Sequence, residues 1–314
     1  MSALPSLRHL RYLIALGEEL HFGRAAERCN VSQSALSKGV QELEALLGVT
    51  LAERTKRQVI ITATGREIIA QARRTLAEAE ALVDLARASG EALSGDLRLG
   101  VIPTVGPYLL PRAMPHLRQA FPALRLYLRE DLTEALIERL TDGRLDAAIV
   151  ALPFDIGDLA CEPLFEDGYL LACARGHPLA NRDHVESQDL AGRPMMLLER
   201  GHCLQRHALS AFDEGDIGED RSFAATSLAT LVAMVEEGLG MTLLPQLAID
   251  AGIAEGHDIA LVPAPGAAPR KVGMLWRRGS PRAAEFLTLA AALRERAPRR
   301  EEPEALSLRT DRPA

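Results

Sequence analysis

The sequence predicts an α/β protein in two parts: a helical N-terminal unit, then a larger domain of alternating strands and helices. Three observations carry that prediction. Short amphipathic helical segments fill the first 48 residues, one long alanine- and leucine-rich helix pattern spans 64–87, and strand-helix alternation begins at 96. With 314 residues, a hydrophobic share of 47% and a charged share of 25%, the chain is long enough for two or three domains of ordinary soluble composition. The apolar patch in MSALPSLRHLRYLIALGEELHFG is broken by His, Arg and Glu, which argues against a signal peptide or membrane span and predicts a cytoplasmic protein with no membrane partner.

Residues 7–20 keep Leu7, Leu10, Leu13 and Ile14 on one helical face, and a second short helix, FGRAAERC, follows. After a break at Asn30-Val31, Ser32 reads as the N-cap of a third helix. Its apolar positions are Leu36, Val40, Leu43 and Leu47, and Gly48 is its stop. This is the pattern of a helix-turn-helix. Ser32, Gln33, Ser34, Ser37 and Lys38 open the third helix or lie on its outer face, where polar side chains can reach base edges in a major groove of double-stranded DNA. In VTLAERTKRQVIITATG, Val59 and Ile61 mark a strand, and Arg54, Lys56 and Arg57 precede it. That segment reads either as a wing whose cations contact phosphates or as a solvated basic loop. Net charge is −7, yet residues 1–65 carry eight Lys and Arg against six acids, so the positive share gathers at this end.

The helix 64–87 repeats apolar residues at Ile68, Ile69, Ala72, Leu76, Ala79, Leu82 and Leu85, close to a heptad, which predicts a seam with a second copy. ASGEALSG, 88–95, reads as a hinge. From Asp96, the runs LRLGVI, LRLYLRED, LDAAIVAL, PLFEDGYLLACARG, PMMLLERG, MTLLP and KVGMLWRRG alternate with helical stretches. Such alternation predicts largely parallel sheets with ligands at the carboxyl ends of their strands. The expected organisation is 1–65, a DNA-binding unit; 66–95, linker helix and hinge; 96–297, an α/β domain; and 298–314, a disordered tail rich in Pro, Glu and Arg.

Cys29, Cys161, Cys173 and Cys203 form no CxxC pair and no zinc spacing, so neither metal nor cofactor is expected. Cys203 stands in ERGHCLQRHALSAF, after His202 and between Arg200 and Arg206. From these residues alone it is either core filler or a thiol activated by positive charge.

The segment FGRAAERCNVSQSALSKGVQELEALLGVTLAERTKRQVIITATG, 22–65, resembles the DNA-binding segment of LysR-type transcriptional regulators, and the likeness runs to about residue 297. It implies a two-lobed, periplasmic-binding-protein-like effector domain, divided at about 96–165 with 270–297, and 166–269. It also implies a homodimer or homotetramer and RNA polymerase as a partner. VIPTVGPYLLP, PLFED, LAGRPMMLLERGHCL, ATSLATLVAMVEEGLGMTLLP and WRRGSP are similar to the OxyR-like, peroxide-sensing branch of that family. The resemblance assigns Cys203 to reaction with hydrogen peroxide, Thr104 and Thr133 to orienting it, and His202 and Arg277 to the surroundings of the sulfur. OxyR-like proteins carry a resolving cysteine nine residues on, where this chain has Phe212. Cys161 and Cys173 occupy no position that the branch uses and read as structural, as does Cys29.

Two alternatives stand beside this reading. A regulator of the same architecture could bind a small organic effector between the lobes, using Thr104 and the pair Thr226-Ser227 at a helix start; that pair equally reads as a plain N-cap. A thiol enzyme built on His202 and Cys203 would need two adjacent residues to face one another, and no Asp or Asn is placed to orient the histidine. The chain is therefore read as a non-enzyme.

Overall fold

A computed structural model describes residues 4–54, 59–87, 93–190, 192–199, 218–219 and 225–296. Local caps set the first three helices. Helix α1 (Leu7–Glu19) starts on Ser6, whose hydroxyl accepts from the His9 N–H; α2 (Phe22–Arg28) starts on His21; and α3 (Gln33–Leu47) starts on Ser32, whose hydroxyl accepts from the Ala35 N–H. Helix α3 ends at Gly48 with φ of 70°, a left-handed conformation that suits glycine. Leu13, Leu16, Leu36, Val40 and Leu43 are fully buried between the three helices. Gly39 is required where α3 crosses α1, because a Cβ there would lie 2.6 Å from the Tyr12 ring. Strands β1 (Ala52–Arg54) and β2 (Val59–Ile61) pair antiparallel as a wing. The Glu44 carboxylate fastens it to α3 by accepting from the N–H groups of Leu51 and Ala52 at 2.8 and 3.2 Å.

Helix α4 (Ala63–Arg87) corrects one expectation. Ile69, Ala72 and Leu76, read from sequence as the seam with a second copy, are buried in the same core as Leu13 and Leu16 of this chain. A short helical domain has too little apolar surface of its own, and the first half of α4 closes it. Further along, Leu82 is 70% and its neighbour Val83 48% exposed. Arg73 of α4 pairs with Glu18 of α1 at 2.9 Å and lies 3.7 Å from Asp142 of the larger domain.

The larger domain is built on two sheets. In the first, the order is β4 (Leu124–Glu130), β3 (Gly95–Val101), β5 (Ala147–Leu152), β12 (Arg270–Arg277) and β6 (Leu159–Asp167). Strands β3, β4 and β5 are parallel and are linked through α5 (Gly106–Ala120) and α6 (Thr133–Thr141), whereas β12 runs antiparallel to both its neighbours. The second sheet, β10 (Thr242–Pro245), β7 (Tyr169–Ala174) and β11 (Ile259–Pro263), is antiparallel throughout, against the parallel sheets expected from the alternation. Its partner strands arrive from opposite directions because β7 enters directly from the first sheet without a helix. The stretch PLFEDGYLLACARG is thus two strands in two sheets, divided at Gly168. Helices α7 (Ser187–Leu190), α8 (Leu228–Glu236) and α9 (Gln246–Asp250), with the short pair β8 (Pro194–Met195) and β9 (Gly218–Glu219), complete the second part. Helix α10 (Ala283–Arg294) returns to the first, where Phe286, Leu289 and Leu293 join its core.

Candidate functional site

In the first sheet, the chain leaves β3 into a turn holding Thr104, and leaves the adjacent parallel strand β4 into the start of α6 at Thr133. Both threonines therefore stand at the carboxyl edge, where ligands of α/β sheets bind. Thr104 is 2% exposed and Thr133 1%. A buried hydroxyl without a hydrogen bond is costly, and the Thr133 hydroxyl has no partner among the described residues.

Thr104 is held by a residue absent from the sequence-based candidates. Arg270 Nη1 donates to the Thr104 hydroxyl at 2.7 Å and Nη2 to the Thr104 carbonyl at 3.0 Å. The guanidinium also donates to one oxygen of Asp167, from Nε at 3.0 Å and Nη2 at 2.8 Å, and both charged side chains are 0% exposed. The other Asp167 oxygen accepts from the Leu247 N–H at 2.9 Å. Asp167 and Arg270 are register partners at the ends of β6 and β12, where the chain passes between the two sheets. Tyr108 lies nearby on α5; burial, with help from the Glu130 carboxylate, pushes its hydroxyl up to about 12 against the pull of Arg270.

Arg277 is elsewhere. Strand β12 is antiparallel to β5, so its last residue lies at the amino edge of the parallel strands, about 23 Å along the strand from Arg270 at 3.3 Å per residue. There its Nη1 donates to the carbonyls of Leu140 and Leu145 at 2.8 and 2.9 Å, and burial lowers its pKa against the pull of Asp146. The expectation that Thr104 and Arg277 flank one centre is corrected: the arginine that meets Thr104 is seven residues earlier. Its one sequence signal is a cation two places before Val272 at the head of a strand whose other charged residues are Lys271 and Arg277.

Ser227 caps α8, its hydroxyl accepting from the Thr230 N–H, and both Thr226 and Ser227 are exposed, so the plain N-cap reading describes Ser227. Cys29, Cys161 and Cys173 carry free thiols, and burial raises the pKa of each. His202, Cys203 and Phe212 lie outside the described residues, as do Lys56 and Arg57. In the helical unit Gln33, Ser34 and Lys38 are exposed along one side of α3, Lys38 lies 3.7 Å from Glu42, and Ser37 is half-buried. Ser32 is exposed but its hydroxyl serves the cap. Arg54 ends β1. Among the described residues no helix is long and apolar enough to cross a membrane.

The family described as "Bacterial regulatory helix-turn-helix protein, lysR family" matches residues 7–66, and the "LysR substrate binding domain" matches 90–298. The DNA-binding transcriptional dual regulator OxyR of Escherichia coli K12 is 44% identical over 292 residues, 93% of this chain and 95% of the relative. The HTH-type transcriptional regulator EstR of Acinetobacter baylyi is 42% identical over 287 residues, 91% and 95% of the two chains. Among solved structures, a full-length cysteine-to-aspartate variant of OxyR from Pseudomonas aeruginosa superposes with a TM-score of 0.77 at 37% identity, covering 93% of this chain and 95% of that one. A hydrogen peroxide-bound cysteine-to-serine variant of OxyR from Corynebacterium glutamicum gives 0.64 at 33% identity, covering 94% and 93%. With a winged helix-turn-helix, a linker helix and a regulatory domain of two sheets, and with relatives matched along nearly its whole length, the chain belongs to the LysR family of transcriptional regulators.

Proposed function

We propose that this regulator senses hydrogen peroxide through Cys203 and controls oxidative-stress genes by changing how a homodimer or homotetramer engages DNA and RNA polymerase. The observation that carries the reading is the pair of buried threonine hydroxyls at one sheet edge with a guanidinium on one of them. That set of donors suits a small, polar oxidant whose leaving oxygen gains charge. The Cys203 thiolate attacks one peroxide oxygen, the O–O bond breaks, and its electron pair leaves with the other oxygen as hydroxide while sulfur becomes a sulfenic acid. Thr104 and Thr133 donate hydrogen bonds to the leaving oxygen, and Arg270, rather than Arg277, supplies positive charge beside it. His202 adjoins the sulfur in sequence. Because Phe212 stands where a resolving cysteine would, the oxidised form is a sulfenic acid, or a mixed disulfide when small thiols are present.

In the reading head, Gln33, Ser34 and Ser37 face base edges, while Lys38, Arg54, Lys56 and Arg57 meet phosphates. The protein acts in the cytoplasm and turns over no substrate. The test is mass spectrometry of the reduced protein before and after one equivalent of peroxide, together with peroxide-dependent transcription in Cys203→Ser. Oxidation at Cys203 and a silent Cys203→Ser variant are expected. A response that survives Cys203→Ser would favour a small organic effector instead, whose binding a shift in melting temperature would report.

A further inference from the structure

We infer that Asp167 is a positioning residue for the peroxide reaction: through Arg270 it fixes the Thr104 hydroxyl as a hydrogen-bond donor toward the oxidant. The inference rests on the peroxide reading of that sheet edge.

A guanidinium has five N–H donors and no acceptor, and a threonine hydroxyl has one proton and two lone pairs. Since Arg270 Nη1 lies 2.7 Å from the Thr104 oxygen, the bond has a single polarity: arginine donates and threonine accepts. The threonine proton then points away from the arginine, free to be donated to another acceptor. A positive neighbour that pulls on the oxygen also makes that proton a stronger donor. The leaving oxygen of peroxide, which takes the electron pair of the broken O–O bond and departs as hydroxide, is the acceptor that gains most from it.

Arg270 can impose that polarity only while its own direction is fixed. Three contacts hold it: Nε and Nη2 on one Asp167 oxygen at 3.0 and 2.8 Å, and Nη2 on the Thr104 carbonyl at 3.0 Å. Asp167 is itself held by the Leu247 N–H at 2.9 Å at the start of α9, and both members of the pair are wholly buried. A buried ion pair adds little net stability compared with apolar residues of similar volume, so the pair is better explained by what it orients than by what it stabilises.

The experiment uses the full-length reduced protein and two reactions at Cys203. Oxidation by hydrogen peroxide requires a broken O–O bond and a stabilised hydroxide. Alkylation by iodoacetamide requires only the thiolate, so its pH midpoint reports thiolate formation. Thr104→Val should slow peroxide oxidation by about a hundredfold, Asp167→Asn by about tenfold, and the double variant no more than Thr104→Val alone, because Asp167 acts through that hydroxyl. The alkylation midpoint of Asp167→Asn should stay or fall, since the guanidinium has lost a compensating charge, whereas general loosening around the site would raise it. Thr104→Ser, which keeps the hydroxyl, should restore the peroxide rate. If Asp167→Asn does not fold, Asp167→Glu keeps the charge on a longer arm and should show the same non-additivity with Thr104→Val. Additive losses, an unaltered peroxide rate, or a raised alkylation midpoint would overturn the assignment of Asp167 alone. A wild-type Cys203 that peroxide leaves untouched would overturn the sensing reading as well.

Discussion

Strand β12 ends in an arginine at each end of the same sheet, and the two arginines have opposite surroundings. Arg270, at the carboxyl edge, meets a full counter-charge in Asp167 and a hydroxyl in Thr104. Arg277, at the amino edge, donates to the carbonyls of Leu140 and Leu145, and among the described residues its Nε has no partner. One arginine joins two strand ends to the turn that carries the candidate site; the other closes the exit of α6 and the approach to β5. Identical side chains seven residues apart thus meet a buried charge in one case and backbone carbonyls in the other, and position relative to strand polarity decides which.

The sharpest way to break this contrast is Arg270→Met. It leaves the Asp167 carboxylate buried without a counter-charge, which costs about 3–5 kcal/mol, and it removes the cation from Thr104. A large loss in urea-unfolding free energy together with slow peroxide oxidation of Cys203 is expected. Stability within 1 kcal/mol of the wild type, by about the error of such measurements, would deny that the pair is a true buried node.

Arg277→Met should cost less, about 1–3 kcal/mol for two carbonyls that lose their donor, and should leave the rate of Cys203 oxidation within about twofold of wild type. If this variant instead slows oxidation as much as Arg270→Met does, the assignment of roles to the two ends of β12 is reversed. Stopped-flow mixing with peroxide and equilibrium unfolding measure the two quantities separately.

The smallest stability effect is expected at Thr133. Its hydroxyl is buried and has no partner among the described residues, so Thr133→Val should change unfolding free energy by less than about 1 kcal/mol and could stabilise. Under the proposed reaction, peroxide oxidation should nevertheless slow by about tenfold or more, because the donor to the leaving oxygen is lost. A variant with unchanged oxidation would remove Thr133 from the site and leave Thr104 as its single hydroxyl.

Much of the architecture was legible from residues three or four apart. Ser32 and Gly48 bound α3 as read, and the wing strand lies at Val59 to Ile61. Caps and periodicities are local, so a neighbouring hydroxyl or a left-handed glycine is enough to reveal them. The cost of that locality appears in α4, where a heptad-like stripe at Ile69, Ala72 and Leu76 is buried against the chain's own first helix. An apolar stripe states that a face must be covered; it does not state by what.

By itself, then, the sequence determined the helix-turn-helix, the alternation of strands and helices, and the two threonines that stand just beyond β3 and β4. Only the tertiary structure decided the polarity of β12, the antiparallel second sheet and the arginine at the site. The reason lies in chain separation: Arg270 reaches Thr104 across 166 residues, and Arg277 reaches Leu140 across 137. No local pattern encodes which end of a strand faces which loop. That choice follows from how β12 inserts between β5 and β6, where the burial of a whole strand outweighs the preference of any one cation on it.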